Sequence, residues 1–394
     1  MATLPKADWT ERDDLARLVE TLGPGDLRWV GGAVRDTLLG HGAKDIDAAT
    51  PLPPAEIISR LDRAHIRSVP TGIEHGTVTA VLDGGHVEIT TLRKDVSTDG
   101  RRATVAFSDD WREDAARRDF TINALYADPV SLEVFDYLGG LDDLRERRVR
   151  FIGDPRARIR EDHLRILRYY RFQARFGCEL DRDAEEACSE LAPMLKGLSR
   201  ERVGWELQNL LAVDDPTGTV VRMFQQGVLG VVLPETGDRE IVAFEQLVQA
   251  ESGAGLPPSP IRRLAALLPA DVRSAEAVAS RLRLSTANKK RLASAAARRG
   301  SLDGDARAMA YRLGREEAAD RILLAGGDPS ALLGWDIPVL PLKGGEIVER
   351  GVAAGPEVAR ILQAIERRWI EEGFPPRERV EALLAEELAA RPPA

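Results

Sequence analysis

Two carboxylates flank one aliphatic residue in Lys44-Asp45-Ile46-Asp47, about ten residues after the run Trp29-Val30-Gly31-Gly32-Ala33-Val34-Arg35-Asp36. Residues i and i+2 of an extended strand share a face, so Asp45 and Asp47 project together while Ile46 turns into a core behind them. The segment therefore reads as a strand with one chemical face and one structural face. Paired acids repel unless a cation lies between them, and hard carboxylate oxygens suit Mg²⁺, with two ions roughly 4 Å apart able to bridge a triphosphate. Gly31 and Gly32 let phosphate approach the backbone, and Arg35 adds a fork that matches phosphate oxygens bidentately. Alone, a D-x-D is an exposed turn carrying two acids. In this order and spacing the parts point to metal-assisted nucleotide chemistry.

A chain of 394 residues, 43% hydrophobic, exceeds one ordinary core and should divide into two to four domains. Its net charge of −9 argues against a general nucleic-acid binder, yet arginine is concentrated locally. Residues 150–175 hold eight arginines against Asp154, Glu161 and Asp162, a local balance of +5. A second cluster, Lys289-Lys290-Arg291 with Arg298-Arg299, fits RNA backbone contact and a solvated helix face equally well. Cys178 and Cys188 form no C-x-x-C pair, so neither a disulfide framework nor a zinc site is indicated; both read as reduced core residues. Residues 1–20 mix acids with apolar side chains, and no stretch reaches 18 consecutive apolar residues. A cytoplasmic protein is expected, with no membrane contact and no stable protein partner.

The pattern predicts a helix over 1–24 ending at Gly23-Pro24-Gly25, then a strand at Leu27–Val30. Alternation in Thr77–Val81 and His86–Thr90 around Asp83-Gly84-Gly85 predicts a hairpin in a small, partly antiparallel sheet. Glu88 and Thr90 share the face opposite Val87 and Ile89, so Glu88 either reaches the acid pair or is a strand-edge acid facing solvent. From Ala157 helical periodicity dominates, with loops at Asp214-Asp215-Pro216, 253–260 and Gly326-Gly327-Asp328-Pro329; Pro392-Pro393 marks a frayed end. On one helix over Glu161–Phe176, Asp162, Arg165 and Arg168 span about 120°, with Leu167, Tyr170 and Ala174 roughly opposite. Asp162 and Arg165 then form an acceptor beside a donor. Cytosine and adenine offer an amine donor beside a ring-nitrogen acceptor, whereas uracil and guanine offer the reverse on that edge. The plainer reading is an i,i+3 surface ion pair. Arg117-Arg118-Asp119 is likewise either a solvated charge cluster or a phosphate-binding arginine followed by an acceptor for a ribose hydroxyl. Tyr137 with Gly139 and Gly140 reads as a closing turn.

The run Gly31-Gly32-Ala33-Val34-Arg35-Asp36 through Asp45-Ile46-Asp47 resembles the head motif of the class II tRNA nucleotidyltransferase and bacterial poly(A) polymerase group. Four segments agree in order: Thr98-Asp99-Gly100-Arg101, Arg117 to Ala124 (Arg-Arg-Asp-Phe-Thr-Ile-Asn-Ala), Glu161-Asp162-His163-Leu164-Arg165 and Ser199-Arg200-Glu201-Arg202. The likeness is specific over about 1–210 and looser beyond, where Pro341 to Ile347 and Gly355-Pro356-Glu357-Val358 look like the tail of such enzymes. It implies an α/β nucleotidyltransferase head with a small mixed sheet (1–145), then an all-α neck with a nucleobase-reading helix (146–213), body (214–330) and tRNA-binding tail (331–394). It further implies template-independent addition of CMP and AMP to the tRNA 3′ end from CTP and ATP. Asp45 and Asp47 would be catalytic and hold Mg²⁺; Gly31, Gly32, Arg35, Arg118, Asp119, Asp162, Arg165, Arg168 and Arg171 would bind nucleotide. Within these roles Asp119 would sense ribose, Asp162 and Arg165 would read the base, and Arg168 and Arg171 would contact the triphosphate. The alternatives are a poly(A) polymerase, an enzyme adding only CC or only A, and a non-catalytic tRNA-binding protein. The metal-dependent HD phosphohydrolase that some relatives carry requires histidines, and none follows His163.

Overall fold

The computed structural model describes residues 2–43, 45–99, 102–177, 180–302 and 304–390. Lys44, Gly100, Arg101, Cys178 and Pro392-Pro393, each part of a reading above, lie outside them. The described strands are β1 (Ala2–Thr3), β2 (Arg28–Val30), β3 (Ile46–Thr50), β4 (Arg67–Gly72), β5 (Thr77–Leu82), β6 (Gly85–Thr91), β7 (Arg93–Asp99), β8 (Arg102–Phe107), β9 (Leu125–Ala127) and β10 (Glu133–Asp136). Eight of them form one mixed sheet in the order β1-β10-β9-β2-β3-β6-β5-β4, while β7 and β8 pair separately. Only β3 and β6 run parallel; the other neighbours in the sheet are antiparallel.

The expected hairpin is β5–β6, closed by Asp83-Gly84, a dipeptide suited to a two-residue connection. Val87 and Ile89 are fully buried, which fixes the register because a one-residue slip would bring Glu88 into the core. The helix expected over 1–24 occupies only Asp13–Leu22 and ends at Gly23 in a positive-φ conformation (97°). Before it, Ala2–Thr3 adds an edge strand to β10, Pro5 follows, and a 3₁₀ turn at Asp8–Glu11 buries Trp9, whose indole N–H donates to Thr37.

Beyond Pro155 the described elements are all helical. The helix expected over Glu161–Phe176 is two helices, Pro155–Glu161 and Arg165–Phe176, with Asp162 extended between them (φ −148°). The cause is local: the Asp162 carboxylate accepts the N–H of Leu164 at 3.1 Å and competes with helical pairing.

Two compact units emerge, Met1–Pro234 and Glu235–Ala394. The first holds the sheet and the helices through Val228–Val232. In the second, the helices Pro356–Glu371 and Arg377–Ala389 pack Ile361, Ile365, Trp369, Val380, Leu383 and Leu384 into one cluster. Elsewhere in that unit buried Glu251 joins Arg262 (2.9 Å) and Arg263 (2.6 Å), and Arg291 joins buried Asp320 (2.7 Å) and Glu316 (2.8 Å). This divides the basic cluster at 289–299: Arg291 braces the fold and Arg298 donates to the Leu268 carbonyl, whereas Lys290 and Arg299 are exposed. Arg291→Ala should therefore cost about 3 kcal/mol in denaturant unfolding by leaving buried Asp320 only the longer 3.5 Å contact with Arg262. A loss no larger than that of Lys290→Ala would contradict the brace. Cys188 is buried as expected. Among the described residues no helix is long and apolar enough to cross a membrane.

Candidate active site

Strand pairing assembles the acidic edge. Val30 faces Asp47 across β2–β3, and Asp47 lies beside Glu88 in the parallel β3–β6 ladder. Asp45 stands just before β3, exposed, with Ile46 buried behind it, so the two-faced strand reading holds. Glu88 faces solvent but is not on an edge strand: β6 is flanked on both sides, and Glu88 stands in register beside Asp47. Burial, then the Glu88 charge, pushes Asp47 up to about 6, with Arg118 opposing and Asp45 adding to the rise. Half-buried Asp47 and exposed Asp45 bring hard oxygens to one edge, and that pair is a donor set that fits a divalent cation.

Gly31 leaves β2 with φ +72° and opens the helix Gly32–Leu38. A Cβ there would stand 3.8 Å from the Asn123 carbonyl oxygen and 3.9 Å from both Arg118 Nη1 and Asp47 Oδ2, so glycine keeps open the space between the Asp47 carboxylate and the Arg118 guanidinium. Arg118 is aimed by buried Asp114 (3.0 Å) and Tyr126 (3.1 Å), and its Nη1 carries no hydrogen bond among the described residues.

Arg35 departs from its expected role. Its side chain is only 5% exposed, donates to Asp36 and Asn123, and lies over Phe172 and Phe176. An arginine so enclosed braces the glycine turn from below rather than offering an open fork.

From Asn123 a chain of polar contacts crosses to the helices. Asn123 donates to Asp119 (2.9 Å), Arg168 donates to Asp119 through Nε (2.8 Å) and Nη2 (2.6 Å), and Glu206 accepts from Arg168 (3.4 Å) and Arg171 (2.7 Å). Asp119 also accepts from its neighbour Phe120, so its acceptor positions are filled. In this arrangement Asp119 holds Arg168, and a ribose hydroxyl would meet Asp119 only by displacing one of these donors.

The reading pair is also partnered differently from expectation. Arg202 donates to Asp162 Oδ2 at 2.7 Å, while Arg165 pairs with Glu161 (2.6 Å) and donates to the carbonyls of Arg158 and Arg117. Each Asp162 oxygen keeps a lone pair, and Arg165 keeps Nε–H and one Nη2 hydrogen, so an acceptor and a donor edge remain.

All eleven residues expected at the site, Gly31, Gly32, Arg35, Asp45, Asp47, Arg118, Asp119, Asp162, Arg165, Arg168 and Arg171, line one open cleft of 1190 Å³ within the first unit. Sequence reading did not single out Asn123, Asp114, Glu206, Arg202 or Trp205. The last two lie on the helix Arg200–Leu211, and Trp205, 57% exposed, faces the cleft. Arg202 and Asn123 each belong to a family motif quoted above, whereas Glu206 carries no local signal.

Although burial alone would raise them, Asp114 is held down to about 2 by Arg118 and Arg117, and Asp119 to about 2 by Arg168 and Asn123. Folded values below the unfolded 3.8 add stability above about pH 4 that is lost as pH falls toward 2, about 2 kcal/mol for each group. Asp114→Asn should accordingly be destabilised at neutral pH and lose less than the parent protein on acidification. Acid unfolding followed by circular dichroism checks this, and parallel curves would refute it.

A sheet-borne acid pair beside a glycine turn, facing an arginine-rich cleft, defines a nucleotidyl-transferring site. Comparison with known proteins agrees. Residues 27–150 match the poly A polymerase head domain, and 177–238 match the probable RNA and SrmB-binding site of polymerase A. The mitochondrial CCA tRNA nucleotidyltransferase 1 of Mus musculus is 33% identical over 377 residues, covering 89% of this chain and 84% of the relative. Its Homo sapiens counterpart is 34% identical over 379 residues, with the same coverage. The fold matches the crystal structure of the Bacillus stearothermophilus CCA-adding enzyme in complex with CTP at a TM-score of 0.69 and 24% identity, covering 96% of this chain and 98% of that one. The chain belongs to the CCA tRNA nucleotidyltransferase family.

Proposed function

We propose that this protein adds CMP and AMP to the 3′ end of tRNA from CTP and ATP, releasing pyrophosphate and reading no nucleic-acid template. The observation that carries the reading is the open cleft in which the Asp45/Asp47 edge faces the Asp162/Arg165 edge. Asp45 and Asp47 would hold Mg²⁺, with Glu88 adjoining; bound there, the metal would activate the RNA 3′-hydroxyl and neutralise charge at the α-phosphate. The chain's own residues do the rest. Gly31 leaves room for phosphate, and Arg118 Nη1 and the outer nitrogens of Arg171 supply donors for its oxygens. Asp119 sets Arg168 across the sugar. Asp162 and Arg165 offer an edge that pairs with cytosine and adenine and meets uracil and guanine donor to donor and acceptor to acceptor.

The fourfold division at 145, 213 and 330, with the tail holding tRNA, and a cytoplasmic location belong to the same proposal. Transfer of labelled CMP and AMP to tRNA transcripts lacking their 3′ ends, with pyrophosphate measured alongside, tests the reading. Incorporation requiring tRNA and restricted to CTP and ATP is expected. Unlimited AMP addition to any RNA would make the protein a poly(A) polymerase, and binding without incorporation would make it a non-catalytic tRNA binder.

For RNA binding by the second unit, Lys290 and Arg299 are the exposed cations of the 289–299 cluster. Replacing both with Ala should lower the salt dependence of tRNA binding by roughly 0.7 to 0.9 for each phosphate they neutralise, at unchanged CTP affinity. An unchanged slope would leave them on a solvated face.

A further inference from the structure

A second cavity, of 290 Å³, opens beside the catalytic cleft and shares His41, Arg147, Arg175 and Phe176 with it. Leu39, Ile122 and Leu144 complete an apolar floor with Phe176. Of its cations, Arg175 is neutralised by Asp36 (2.9 Å), and Arg148 by Glu146 and, at 3.7 Å, Asp143. The exposed Arg147 side chain has no ion pair or hydrogen bond among the described residues. Its backbone is unusual too. The helix Gly140–Arg145 ends with Arg147 N–H donating to the Leu144 carbonyl and Arg148 N–H to the Asp143 carbonyl, which makes Arg147 the left-handed residue of a Schellman closure (φ +52°). Glycine is the ordinary occupant of that position, and a side chain there is strained. The chain thus holds an unpaired guanidinium, against backbone preference, where two cavities meet.

We propose that this side chamber binds a nucleotide of the RNA strand just behind the reacting 3′ end, its phosphate on Arg147 and its base against the Leu39/Ile122/Leu144/Phe176 floor. The inference rests on the tRNA-extending function proposed above. Within that reading the incoming nucleotide's phosphate, sugar and base edge already have partners in the main cleft, whereas the strand carrying the 3′-hydroxyl needs a path away from it. A phosphate-and-base ligand of one-nucleotide size matches an apolar floor with a cationic rim.

Arg147→Gly separates the functional role from the structural one. Relief of the left-handed strain should leave the melting temperature unchanged or higher. KM for tRNA should rise about fivefold, and the salt slope of RNA binding should fall by about 0.7, the share of one single-strand phosphate, while KM for CTP stays within twofold. Leu39→Trp, which fills the floor, should weaken RNA binding in the same way at unchanged KM for CTP. Fluorescence anisotropy with a short single-stranded RNA reads this binding whether or not transfer occurs, so failure of the functional reading, which would appear as an inactive parent protein, is distinct. Unchanged RNA affinity and slope in Arg147→Gly would overturn the proposal. Weaker inhibition by free pyrophosphate with unchanged RNA binding would also overturn it and give the chamber to the leaving group.

Discussion

Asp47→Ala should reduce nucleotidyl transfer by at least about a thousandfold with CTP and ATP alike, because in the proposed reaction both substrates depend on the same pair of carboxylates. The variant should remain folded, and its stability should be unchanged or higher. Asp47 sits in register beside Glu88 and two residues from Asp45, so removing it relieves like-charge crowding that the fold carries only for the reaction. Asp45→Ala should lose activity equally for both nucleotides. Parallel measurement of steady-state turnover at saturating Mg²⁺ and of unfolding in denaturant checks both halves. Substantial turnover by either variant would remove the pair from the mechanism, and unfolding would show that Asp47 serves the sheet.

Asp162→Ala should cost about 1 to 3 kcal/mol of discrimination for CTP and ATP over UTP and GTP, which is roughly 5- to 150-fold in the ratio of kcat/KM values. Arg202→Ala should move the same ratio in the same direction by less, because Arg202 touches the reading acid rather than the base. Its hydrogen bond to Asp162 Oδ2 fixes the direction in which that carboxylate points, and Arg202→Lys should restore much of the selectivity. If both variants lose overall rate but keep the order of preference among four triphosphates, the pair is structural and selection arises elsewhere.

Where side-chain period and glycine chemistry dominate, the candidate site is legible in the sequence itself. The i,i+2 rule placed Asp45 and Asp47 together, and the glycine turn lies beside them as the spacing required. Legibility ended where long-range partners decide. Nothing local to Arg35 shows that Phe172 and Phe176 will close over it, so a phosphate fork was expected where the fold has a buried brace. Asp162 and Arg165 were placed on one helix by periodicity, but the Asp162 side chain breaks that helix and takes Arg202, forty residues on, as its partner. Glu88 could be called an edge acid only while the strand order was unknown; the parallel step from β3 to β6 carries it into the acidic edge. Glu206 shows the limit most plainly. A helical glutamate gives no sign that it will be buried and will hold Arg168 and Arg171 from another helix.

Sequencing the products formed on tRNAs that end before C, after C, and after CC, in a mixture of all four triphosphates, tests the central claim most directly. One cleft with one acceptor–donor edge predicts completion of each end to CCA, followed by arrest, with no UMP or GMP at any position. Ends extended only to CC, or only by A, would restrict the enzyme to part of the sequence. Incorporation of UMP or GMP at comparable frequency would contradict the assignment of Asp162 and Arg165 as the groups that read the base.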